Sequence, residues 1–125
     1  MKIVPVIRCS DIDASIRFYT EILGFVSEYP ETPSKAAVVD VSQGDAVLQL
    51  SVLSGDGSFG AAINVEVEEV DDLFGQFLSR GLDTSGHANS PVHLGPIDQS
   101  WGSREFYVTD PDGNTLRFRS WPAQA

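Results

Sequence analysis

The feature that most constrains this chain is an internal repeat. Asp11-Ile12-Asp13 and Glu69-Val70-Asp71 stand 58 positions apart, and under the same shift Tyr19 falls on Phe77. The glycine that ends the first helix pattern, Gly24-Phe25, has its counterpart at Gly81-Leu82. Repetition at a fixed spacing means that one supersecondary unit is used twice. Neither half holds the apolar residues for a sound core of its own. The halves must therefore pack together or exchange with a second chain.

Each half reads strand, helix, then three strands. Residues 3–9 form a β-branched run. Ser10 or Asp11 can cap a helix on which Ile12, Ile16, Tyr19 and Leu23 recur at helical spacing. Strands are predicted over 25–29, 36–41 and 46–52, with a polar turn at 30–34 and another at Gln43-Gly44-Asp45. In the second half, strand 62–67 leads to a helix opened by Glu68-Glu69, with Val70, Leu73, Phe74, Phe77 and Leu78 as its apolar face. Residues 82–87 read as a strand and 89–102 as a long loop. Strands 104–109 and 115–119 flank the turn Asp110-Pro111-Asp112-Gly113-Asn114. The organisation is a single domain of two modules, about 1–53 and 61–120, joined by the Gly- and Ser-rich linker 54–60. The fold class is α+β: two βαβββ modules forming a curved mixed sheet around a cavity.

That cavity follows from the faces. A strand set with one face on a helix leaves the other uncovered. Gln49 and Arg117 are polar, mid-strand, and flanked by apolar residues that point the other way. Each therefore sits in solvent or faces a site.

The chain's 8 basic and 18 acidic residues give a net charge of −10. Nucleic acid and anionic membrane surfaces, which are bound through basic patches, are excluded as expected partners. The charge serves solubility, and its field draws cationic ligands. The single cysteine, Cys9, permits no intrachain disulfide and suits the reducing cytoplasm. No apolar run approaches the length of a membrane span, and the start shows no export signal.

Two segments carry a family resemblance. Residues 10–19, ending in Phe18-Tyr19 and leading to Leu23-Gly24-Phe25, form one. Trp101-Gly102-Ser103-Arg104-Glu105-Phe106-Tyr107-Val108, leading to Asp110-Pro111-Asp112-Gly113-Asn114, forms the other. Together with the repeat they resemble the vicinal oxygen chelate superfamily, which contains glyoxalase I, extradiol dioxygenases, and fosfomycin- and bleomycin-resistance proteins. The resemblance implies four equivalent strand positions that hold His and Glu ligands in metal-dependent members. Here they fall on Val4, Gln49, Ala62 and Arg117. Val, Ala and Arg do not bind a divalent ion and Gln does so poorly. The chain thus resembles the metal-free bleomycin-resistance branch, whose members bind drug at a dimer interface without catalysis. No cofactor and no metal site is expected.

Other candidates are weighed against plainer roles. His87 and His93 lie six apart in a Pro- and Gly-containing stretch and read as loop or edge histidines. Cys9 reads as a small buried apolar residue. Glu105 and Tyr107 share a strand face opposite Phe106 and Val108, and Glu105 near Arg117 is an ion pair in the cavity or at the surface. Trp101 stacks on a ligand or packs its loop on the sheet. Phe59 in the linker carries the same two readings. Trp121 seals a dimer or tethers the tail.

The expected ligand-binding residues are Gln49, Phe59, Trp101, Glu105, Tyr107 and Arg117, with no catalytic residue assigned. The leading reading is a homodimer that binds a small, cationic, aromatic molecule, such as an antibiotic, without metal. One alternative is a metal-free isomerase or lyase acting on a small carbonyl metabolite, with Glu105 as base and Arg117 holding an anion. The other is a dimeric interaction module with no small ligand.

Overall fold

Helical spacing does place Ile12, Ile16 and Tyr19 on one buried side, but the helix changes pitch midway. In a computed structural model, which describes residues 1–27 and 36–122, α1 spans Ile12–Arg17 and runs on as a π-helical turn over Phe18–Ile22. The Asp11 carboxylate accepts from the Ala14 amide at 3.1 Å, so Asp11 caps the helix. The wide turn closes where Leu23 N–H donates to the Phe18 carbonyl at 3.3 Å. Gly24, at φ 75°, then lets the chain reverse, and Phe25 N–H donates to the Tyr19 carbonyl.

The strands are β1 (Val6–Arg8), β2 (Val26–Ser27), β3 (Val38–Gln43), β4 (Ala46–Ser51), β5 (Ala62–Glu66), β6 (Ile97–Asp98), β7 (Arg104–Thr109) and β8 (Thr115–Ser120). They form two four-stranded mixed sheets of the same topology, β1-β4-β3-β2 and β5-β8-β7-β6. In each, the first strand pairs parallel to the last and the other pairs are antiparallel. The repeat in the sequence is thus a repeat of one βαβββ module, and the α+β class stands.

The chain divides into two compact units, Met1–Ala61 with Asp110–Asn114, and Ala62–Thr109 with Thr115–Ala125. In the first, Ile7, Ile12, Ile16, Tyr19, Leu23, Val39, Val41, Leu48 and Leu50 are buried together between helix and sheet. In the second, α2 (Val70–Ser79) lays Val70, Phe74 and Phe77 on β7 and β8. Phe77 meets Phe106 and Phe118 edge-on, with centroids at 5.8 and 5.2 Å. Tyr19 and Phe77, equivalent by the repeat, are both fully buried.

Several expectations change. Residues 82–87 form no strand: the Asp83 carboxylate accepts from the Ser85 amide at 2.9 Å, and a 3₁₀ turn follows at Ser85–His87. The long loop contains α3 (Pro91–Leu94), begun by a proline that suits a first helical position, and β6. Leu78 is exposed, since it lies on the flank of the Val70, Phe74 and Phe77 stripe. Of the strand expected over 25–29, Val26–Ser27 is formed; residues 28 and 29 and the turn at 30–34 lie outside the described residues. No helix among the described residues is long and apolar enough to cross a membrane.

Candidate functional site

Strand alternation builds the site. Phe106 and Val108 of β7 and Leu116 and Phe118 of β8 point to α2 and are buried. The intervening residues lie on the uncovered face in three cross-strand rows. The first row is Glu66, Arg119, Glu105 and Ile97; the second is Asn64, Arg117 and Tyr107; the third is Ala62, Thr115 and Thr109.

The first row is electrostatically closed. Glu105 is 3% exposed. Its Oε2 accepts from Trp101 Nε1 at 3.0 Å and from the Ser103 hydroxyl, and its Oε1 accepts from the Tyr107 hydroxyl at 3.2 Å. Burial pushes the Glu105 pKa up, but these three donors and the Arg119 charge together hold it below the usual carboxylate range. Arg119 donates to Glu66 at 3.1 Å and lies over the Trp121 ring, whose Nε1 also reaches Glu66. Glu105 was expected near Arg117. The register instead sets Glu105 across from Arg119 and Tyr107 across from Arg117.

In the second row the Arg117 guanidinium lies 5.3 Å from the centroid of Tyr107. Burial and the Glu105 charge raise the Tyr107 pKa, so its hydroxyl stays a donor. The third row meets the segment before β6. Thr109 Oγ1 is hydrogen-bonded to Thr115 Oγ1 at 3.0 Å and to His93 Nε2 at 2.9 Å, while His93 Nδ1 meets Ser90 Oγ at 2.7 Å. His87 stacks on His93 at 4.0 Å, and His93 stands edge-on to Tyr107. Burial and the neighbouring His87 lower the His93 pKa, keeping it neutral. These histidines are therefore part of the face rather than peripheral to it. Sequence reading missed them, because only the fold of α3 brings His93 to Thr109.

Four of the six expected residues, Trp101, Glu105, Tyr107 and Arg117, thus come together on one sheet. Trp101 is pinned by its indole N–H yet 57% exposed, which leaves its ring available. Gln49 lies on the uncovered face of the first unit's sheet. It is between Val6 and Asp40 in register, and its amide donates to Asp40 at 3.2 Å. A shallow concavity of about 340 Å³ near it is lined by Lys2, Val4, Val26, Asp40, Ser42 and Val47. Phe59 packs against Arg8, whose guanidinium lies 4.8 Å from its centroid. A further concavity, of about 510 Å³, opens at the N-terminus of α2 in the second unit. Its one basic residue, Arg104, is bound to both Asp71 and Asp98.

The four positions that carry ligands in metal-dependent relatives do not fit a metal ion here. Val4 and Ala62 offer no donor, Gln49 offers only a neutral amide oxygen, which binds a divalent ion poorly, and Arg117 brings a fixed positive charge. Among the described residues no group of three or more His, Cys, Asp or Glu converges on a metal position. Cys9 is buried, and burial pushes its thiol up to about 11, which makes it a core residue rather than a nucleophile.

Fold and face together define an α+β protein of paired βαβββ modules with an aromatic and polar sheet surface. The model of the Glyoxalase/Bleomycin resistance protein/Dioxygenase superfamily matches residues 3–118, and the chain belongs to that superfamily. It is 27% identical over 132 residues to the bleomycin resistance protein of Geobacillus stearothermophilus, covering 94% of this chain and 95% of the relative. The bleomycin resistance protein of Staphylococcus aureus matches to the same extent. Among solved structures it is similar to the bleomycin-binding protein from bleomycin-producing Streptomyces verticillus complexed with copper(II)-bleomycin. That match has 25% identity and a TM-score of 0.71 over 98% of this chain and 97% of the other. A bleomycin resistance determinant encoded on the transposon Tn5 shares the fold, with 23% identity and a TM-score of 0.75 over 98% and 99%.

Proposed function

We propose that this protein binds a small flat molecule without a metal and acts by sequestration, as an antibiotic-resistance protein of the bleomycin type. The carrying observation is the face on which Trp101, Glu105, Tyr107 and Arg117 stand together, with an exposed indole ring beside a half-buried phenol. Sequestration needs affinity alone, so no acid, base or metal is required. The similarity to bleomycin resistance proteins and to a bleomycin-binding protein supports this reading. The net charge of −10 favours the approach of a cationic ligand at long range. The protein works as a homodimer in the cytoplasm, with Gln49 and Phe59 of the first unit as further ligand contacts. Glu105 is poorly suited to be the base of an isomerase or lyase: three donors already occupy its carboxylate, and its pKa is depressed rather than raised toward neutrality.

The test is calorimetry and tryptophan fluorescence on metal-stripped protein titrated with bleomycin. Saturable binding that perturbs Trp101 emission and is weakened in Trp101→Ala is expected. No binding at millimolar drug would overturn the bleomycin assignment.

A further inference from the structure

The charges on the second unit's uncovered face do not cancel evenly. Arg119 is neutralised by Glu66 at 3.1 Å, and Glu105 is satisfied by Trp101, Ser103 and Tyr107. Arg117 has no such partner. It sits on β8, an inner strand of the sheet, and no carboxylate among the described residues lies within salt-bridge distance of it. Its Nε is buried without an acceptor among the described residues, and its guanidinium lies over the face of Tyr107. The chain has 18 acidic side chains to draw on, yet none of the described ones is placed against this guanidinium.

Its cross-strand neighbour completes the pattern. Asn64 of β5 is directly opposite Arg117, on the same face, and exposed. Its side-chain amide has no hydrogen-bond partner among the described residues. A guanidinium offers a planar fork of donors matched to two oxygens of one anion, and a carboxamide adds a third donor beside it. The Tyr107 ring lies beneath the guanidinium, and His93, held neutral edge-on to that ring, adds no competing charge.

We infer that Arg117 and Asn64 form an oxyanion receptor on the Tyr107 ring, so that the ligand of this face carries a carboxylate or similar oxyanion on a flat aromatic frame. The inference rests on the reading that this face is the ligand site, and it names the chemistry that the face selects. Net acidity governs approach from a distance; at contact, the free charge on this face is positive. A ligand that satisfies both is zwitterionic.

The test compares three probes on one aromatic frame, 2-naphthoate, its near-isosteric amide 2-naphthamide, and 2-naphthylmethylammonium, titrated by calorimetry into the full chain at physiological ionic strength. Naphthoate is expected to bind roughly tenfold or more tightly than the amide. Arg117→Met should erase that preference, and Arg117→Lys should keep part of it, since charge returns without the fork. Asn64→Ala, at an exposed position, should narrow it and serves if Arg117→Met does not fold. Equal affinities for acid and amide, a preference for the ammonium probe, or no binding of naphthoate would each overturn the oxyanion receptor. Failure of the underlying reading looks different: bleomycin and all three probes would be insensitive to Trp101→Ala and Tyr107→Leu.

Discussion

The Tyr19 hydroxyl donates to Asp110 Oδ2 at 2.8 Å, with both residues buried. This bond ties the first helix to a turn 91 residues away. It also explains why the repeat is broken at this position, with Tyr in the first half and Phe77 in the second. Phe77 packs against the rings of Phe106 and Phe118, whereas Tyr19 faces a carboxylate.

Tyr19→Phe should therefore lower stability by about 1–3 kcal/mol, the cost of leaving a buried acceptor short of its donor. Phe77→Tyr should cost at least as much, because a hydroxyl would enter a ring cluster without an acceptor. Burial and the Asp110 charge raise the Tyr19 pKa in the folded state. Below about pH 10 both folded and unfolded chains keep the proton; above it the unfolded phenol ionises first and stability falls. Urea denaturation between pH 8 and 11 should show this alkaline loss, reduced in Tyr19→Phe.

Asn114 closes the same turn from the other side. Its Nδ2 donates to the Arg8 carbonyl at 2.8 Å and to Asp110 Oδ2 at 3.0 Å, and its Oδ1 accepts from the Gly60 and Ala61 amides. Asn114→Asp replaces two donations with a charge facing a carbonyl and a carboxylate. The expected loss is about 3 kcal/mol or more at neutral pH. It should shrink as pH falls through the carboxylate range near 4, where protonation restores one donor. Thermal melts at pH 7 and pH 4, referenced to wild type at each pH, test this.

The two-module fold was legible because both periods were strong. The Ile12, Ile16, Tyr19 series and the Val70, Phe74, Phe77 series each mark one buried stripe. The alternation of Glu105 and Tyr107 with Phe106 and Val108 put the right pair on the uncovered face. The partner of Glu105 was misread, although the turn held the answer. Loop residues 110–114 oppose Thr109 to Thr115, and counting back from there sets Glu105 against Arg119. His93 was not legible at all. Its bond to Thr109 spans 16 residues and depends on the placement of α3, which no local pattern specifies.

His93 gives the face an acid limit. The ring accepts from one hydroxyl and stacks on His87, and both burial and that neighbour disfavour its protonation. With the folded pKa below its ordinary value of 6.5, the unfolded chain takes the proton first. Stability is complete above about pH 6.5 and falls below it, until the folded state protonates as well. Two-dimensional NMR of the imidazole carbons should show His93 titrating below its ordinary value of 6.5. His93→Gln should flatten the stability profile between pH 7 and 5.

Glu105 organises the opposite end of the face, and its loss should be felt as both stability and ligand affinity. In Glu105→Gln the charge is lost and one carboxylate oxygen becomes an NH2 that cannot accept, so the donations from Ser103, Trp101 and Tyr107 cannot all be kept as they are. The expected cost is about 1–3 kcal/mol. On a Trp121→Phe background Trp101 is the sole indole, and its emission should shift to the red as its N–H is released to water. The depressed folded pKa adds a pH signature: the contribution of Glu105 is complete above its ordinary value of 4.5 and is lost as pH falls toward the folded value. Acid titration of the Trp101 emission should follow that loss in the wild type and be absent in Glu105→Gln. An indole that shifts identically in both proteins would mean that Glu105 does not hold Trp101 in place.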